Sequence, residues 1–65
     1  MSYLYQPIYE FEKKVFGYKI KINFAYPIVY NTRERAHLCA LVAWNVFCDE
    51  DDTLLNIEIR QLTIG

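Results

Sequence analysis

The sequence holds little of what catalytic centres are built from. Among its 65 residues there is one histidine, His37, and one serine, Ser2, with two cysteines, two glycines and two prolines. A lone serine with no neighbouring histidine offers no nucleophile and base pair, and two glycines make no phosphate-cradling loop. No CxxC, no HxxxH and no second histidine is present, so the spacing that holds zinc is missing. On a helix His37 and Cys39 stand ~200° apart, and His37 and Cys48 ~16 Å apart along the axis. No apolar run reaches the ~18 residues of a membrane helix, and no signal peptide is visible. Charge of one sign is also scarce. Seven Lys and Arg oppose eight Asp and Glu for a net charge of −1, where strong phosphate binders carry a basic excess. The expectation is a protein without catalysis, cofactor, metal or membrane.

Aromatics are what the chain has in excess: six Tyr, four Phe and one Trp, 17% of the residues. The length suits one domain over residues 1–65, in which hydrophobic burial and the entropy of ordering the chain nearly cancel. A disulfide would help, but Cys39 and Cys48 fall on one predicted helix, ~13.5 Å apart along its axis. A bridge reaches only ~7 Å between Cα atoms. Free thiols fit a reducing, cytoplasmic compartment, and a partner chain becomes the expected source of extra stability.

Residues 3–12 alternate, with Tyr3, Tyr5, Tyr9 and Phe11 on one face, and read as a strand that Pro7 would push to an edge or a bulge. Lys13–Gly17 form a turn. In residues 18–25, Tyr18, Ile20, Ile22 and Phe24 oppose Lys19, Lys21 and Asn23, the pattern of a strand with one face covered. Asn31 as cap and Glu34 three residues later open a helix over 32–48. Its broad apolar sector holds Ala36, Leu38, Cys39, Ala40, Val42, Ala43, Val46 and Phe47 and is expected against the sheet. Residues 53–64 form a third strand, out of phase near Gln61. The fold class is α+β in the order β-β-α-β, with one helix on one face of a three-stranded, mostly antiparallel sheet. Strand order 2-1-3 is preferred over a parallel βαβ crossover.

Three surfaces carry functional readings. His37, Leu41, Trp44 and Cys48 follow i, i+4, i+7, i+11 on the sector opposite the predicted core, a seam for a partner helix or groove. Trp and Tyr are enriched at interface hot spots, so Tyr3, Tyr5 and Tyr9 add a second aromatic surface. The run Asp49, Glu50, Asp51 and Asp52 concentrates negative charge that a basic partner surface would meet. Lys14, Tyr18, Lys19 and Lys21 lie in a hairpin over 13–21 that interleaves lysine with aromatics, as single-strand nucleic-acid binders do. The leading expectation is a non-catalytic protein-binding module, acting as a homodimer or as a stoichiometric inhibitor or regulator of another protein. In size and aromatic content alone it is similar in type to small phage-encoded inhibitors of host proteins. Single-strand nucleic-acid binding is the alternative.

Overall fold

The computed structural model describes residues 2–64, in the order β1 (Ser2–Val15), β2 (Tyr18–Ala25), α1 (Arg33–Phe47) and β3 (Asp52–Ile64). The three strands form one antiparallel sheet in the order β2-β1-β3, and α1 lies over β1 and β3. This is the α+β arrangement expected from the alternating strands and the single capped helix. Among the described residues no helix is long and apolar enough to cross a membrane.

β1 is longer than its alternation predicts because Lys13, Lys14 and Val15 continue it instead of forming the turn. The connection to β2 is only Phe16–Gly17, at φ 51° and 82°. Two successive positive φ values are what a two-residue hairpin needs to match strand twist. Gly17 adopts such a value without strain, whereas Phe16 has a Cβ that disfavours it.

Pro7 is in the central strand, not at an edge. The Tyr26 N–H donates to the Pro7 carbonyl at 2.9 Å, so the backbone edge of Pro7 faces the side where β2 has just ended at Ala25. The N–H that proline lacks would therefore point at the departing chain rather than into the ladder, and β3 pairs undisturbed on the other side. Beyond Pro7 the loop returns to the sheet, with Tyr5 and Tyr30 exchanging both backbone hydrogen bonds at 2.7 and 2.9 Å.

Three details differ from the sequence reading. The helix cap is Thr32, whose hydroxyl accepts from the Arg35 N–H at 3.2 Å, and Asn31 stands one residue outside. The irregularity in β3 lies opposite Glu10 and Phe11, where Leu55 has no pairing partner, and not at Gln61. Its placement turns Leu54, Ile57 and Ile59 toward the side of Tyr9 and Phe11.

The largest correction concerns the rotation of α1. Ala36, Ala40 and Trp44 are its buried residues, so Trp44 faces the sheet and is 7% exposed. Leu38, Val42 and Val46, expected in the core, are 63%, 66% and 82% exposed. Apolar side chains surround this helix on most sides, so periodicity alone barely favours one rotation. Shape decides. Two alanines let the helix approach the sheet closely, and the indole fills the wider gap over Tyr9 and Phe11, its ring centroid 5.5 and 5.1 Å from theirs.

The aromatic excess is thereby explained. Tyr9, fully buried, also meets Phe47 and Tyr26 edge to face at 5.4 and 5.9 Å and stacks with Phe24 at 6.4 Å. Rings bury more area per residue than any aliphatic side chain, which suits a thin core.

Candidate functional site

Helix α1 carries two opposite apolar faces. On a 3.6-residue turn Ala36, Ala40 and Trp44 span ~80°, and Leu38, Val42 and Val46 span ~80° centred ~160° away. The first face is consumed by the sheet. The second lies on the outside, flanked by Cys39 and Ala43 on one side and the partly exposed Leu41 on the other. Exposed side chains of this size present roughly 60–120 Å² each, so the stripe offers on the order of 400 Å² of apolar surface. That is in the ~300–600 Å² range of the largest patch on a typical monomer, which is often functional.

The molecule as a whole is under-buried. Its accessible surface is 4864 Å², against ~4,400 Å² for a folded monomer of this mass. Its radius of gyration is 13.2 Å, against ~10.7 Å for a compact chain of this length. β1 sets the long dimension of 47 Å, and one 15-residue helix, ~22 Å long, cannot cover it.

The seam His37, Leu41, Trp44 and Cys48 is not a single surface. Trp44 is core and Cys48 packs against that core. His37 is exposed in a shallow cleft with Arg33, Glu34, Leu38 and Ile59. Leu41 borders the outer stripe. The same rotation that buries Trp44 replaces the seam by Leu38, Val42 and Val46. A signal for this lay in Ala36, Ala40 and Trp44, a small, small, large series four residues apart on one side of the helix.

Tyr3, Tyr5 and Tyr9 share a row but not an environment. Tyr9 is buried, and its hydroxyl donates to the Ala40 carbonyl at 2.7 Å, tying strand to helix. Burial pushes its phenol up to about 12. Tyr5 is half-buried beneath the Arg33 guanidinium, 5.4 Å from the ring centroid. Tyr3 remains exposed.

The acidic run divides in two. Asp52 is nearly enclosed: its carboxylate accepts from the Asp49 N–H at 3.0 Å and pairs with Lys13 at 3.2 Å. Asp49 also pairs with Lys13, at 3.3 Å. The Asp49 N–H and then the lysine hold Asp52 below the usual carboxylate range. A lowered folded value means this contribution to stability is present above the ordinary Asp range and is lost as pH falls through the lowered one. Asp52 and Asp49 thus close the helix-to-strand loop, while Glu50 and Asp51 stay exposed. Among the described residues no cluster of three or more His, Cys, Asp or Glu is placed to hold a metal ion.

The lysine and aromatic hairpin is split between the two faces of the sheet. Lys14 pairs with Lys19 and Glu12 with Lys21 in the β1–β2 register, on the face away from α1. Tyr18 pairs with Val15, in the row of Tyr9 and Phe11 on the opposite face. Lys21 is bound to Glu10, the main cause of its raised pKa. Lys14 and Lys19 share a groove with Glu12, Glu50 and Asp51. Cations and stacking ring therefore do not converge on one track. Compared with protein families, curated proteins and solved structures, this chain has no match in any of the three.

Proposed function

We propose that this chain is a non-catalytic protein-binding module whose docking surface is the outer face of α1, formed by Leu38, Val42 and Val46. One observation carries the reading: a helix whose inner face is already filled by Ala36, Ala40 and Trp44 keeps a second apolar stripe in water. Leaving three aliphatic side chains exposed in one row forgoes the ~1.5–3 kcal/mol each would contribute on burial. A partner of protein chemistry recovers it, with hot-spot contacts at the centre and charged groups at the rim. The finer form of the proposal is a cytoplasmic protein acting stoichiometrically, as a homodimer or as an inhibitor or regulator of another protein, similar in type to small phage-encoded inhibitors.

The test places a photo-crosslinking amino acid at Val42, and separately at Lys19 on the open sheet face, in the protein as it is made in the cell. The expected result is a discrete protein adduct from position 42 that Val46→Asp removes, and none from position 19. Absence of any protein adduct at position 42 overturns the reading.

A further inference from the structure

We infer that Phe16 is a docking anchor: the tip of the β1–β2 hairpin inserts this ring into an apolar pocket of a partner protein, with Lys14, Lys19, Glu50 and Asp51 at the rim of the contact. The anchor shares no residue with the α1 stripe, so the two contacts stand or fall separately.

Two independent properties of Phe16 point the same way. Its backbone lies at φ 51°, in the left-handed region, beside Gly17 at 82°. Asn, Asp or Gly takes the first position of such a turn at little cost, and an aromatic residue does not. Its ring is 97% exposed, so no contact within the fold offsets the strain. Strained residues of this kind cluster at ligand clamps and switch regions.

The tip also projects. β3 begins at Asp52, opposite Lys13, and the Lys14 N–H donates to the Asp51 carbonyl at 3.0 Å. Beyond that bond only the Val15 and Tyr18 pair and the turn remain, a two-stranded end with no third strand beside it. A Cβ added at Gly17 would meet nothing within 4 Å, so the turn is free to enter a cavity. Tyr18, 75% exposed, places a second ring one residue past the turn.

Charge and size choose among the surfaces such a tip could meet. Lys14 and Lys19 share a groove with Glu12, Glu50 and Asp51, and Lys13 is bound to Asp49 and Asp52. Both signs therefore edge the tip, without the basic excess that suits an anionic bilayer or a nucleic acid. One ring also buries less than a single acyl chain, which by itself gives only marginal membrane attachment. An aromatic centre inside a rim of mixed charge is the anatomy of a protein–protein contact, where a few anchors fill pockets and the rim stays solvated. The two-residue turn already fixes the backbone of the anchor, so little ordering entropy opposes its insertion.

The experiment places p-azidophenylalanine at Tyr18 in the protein as it is made in the cell, in three backgrounds: Phe16 unchanged, Phe16→Asn and Phe16→Gly. Tm is measured on the same three purified proteins. With Phe16 present, light is expected to give one discrete protein adduct, and peptide mapping to place the crosslink beside an apolar pocket of that protein. Both variants should lose the adduct about tenfold or more, while Phe16→Asn raises Tm, a combination that misfolding does not produce. An adduct that persists in both variants overturns the inference, as does the absence of any protein adduct at position 18. A Tm that neither variant raises overturns it too, by assigning the ring to the fold. So does co-sedimentation of the wild type, but not of Phe16→Asn, with vesicles of phosphatidylcholine and phosphatidylserine, since the ring would then enter a bilayer. Adducts at positions 18 and 42 are scored separately, so failure of one contact leaves the other standing.

Discussion

At the scale of single residues, Tyr9 does the most. It is the largest fully buried side chain, with four aromatic neighbours and a hydroxyl bonded to the helix backbone. Tyr9→Phe keeps the ring contacts and removes one buried hydrogen bond, so urea unfolding should show a loss of about 1 kcal/mol. The pH profile should separate the two proteins further. The phenol ionises at 10.0 in the unfolded chain and at about 12 when folded. A group whose proton is held more tightly in the fold contributes stability that is complete below pH 10 and lost between about pH 10 and 12. Stability measured across that window should fall more steeply for the wild type than for Tyr9→Phe.

At the scale of elements, the hairpin and the helix each balance a local preference against a tertiary one. The turn Phe16–Gly17 has the backbone of a tight hairpin but the wrong first residue, since Phe at φ 51° is strained and its ring is 97% exposed. Asn tolerates that conformation and is favoured at this turn position. Phe16→Asn is therefore expected to stabilise the chain by about 1 kcal/mol, read as a rise in Tm of several degrees. An unchanged or lower Tm would mean that the exposed ring serves the fold in a way the turn geometry does not reveal. The element boundaries were largely legible, because strand alternation and a Gly- and Pro-free helical stretch are properties of the local chain. Helix rotation was not, because α1 is apolar on nearly every side and only the shape of the sheet beneath it selects a face.

At the scale of the molecule, the long three-stranded sheet exceeds what one helix can cover, and apolar surface stays exposed both along β2, at Tyr18, Ile20 and Phe24, and on the outside of that helix. A dimer through this surface links folding to concentration by mass action. Tm should rise by a few degrees between ~5 and ~500 µM chain, and Val42→Asp should abolish the rise while leaving Tm at the lower concentration within a few degrees of the wild type. A Tm independent of concentration in the wild type would count against a dimer that contributes to stability. The contrast with Trp44→Ala is instructive: that change empties the core and should unfold the chain at every concentration, by ~3–5 kcal/mol.

The sequence by itself determined the element order, the α+β class with one helix beside three strands, and the scarcity of catalytic and metal-binding groups. Each of these follows from the period, capping and composition of the chain, which act over neighbours a few residues apart. The tertiary structure decided which side of α1 faces the sheet, that Trp44 and Tyr9 are core, and that the acidic run closes a loop through Lys13. It also decided that Lys14, expected in the turn, lies in β1 on the same sheet face as Lys19 and Lys21. These depend on how closely two surfaces approach, and close packing resolves at the level of single side chains what a helical wheel with apolar residues all round leaves open.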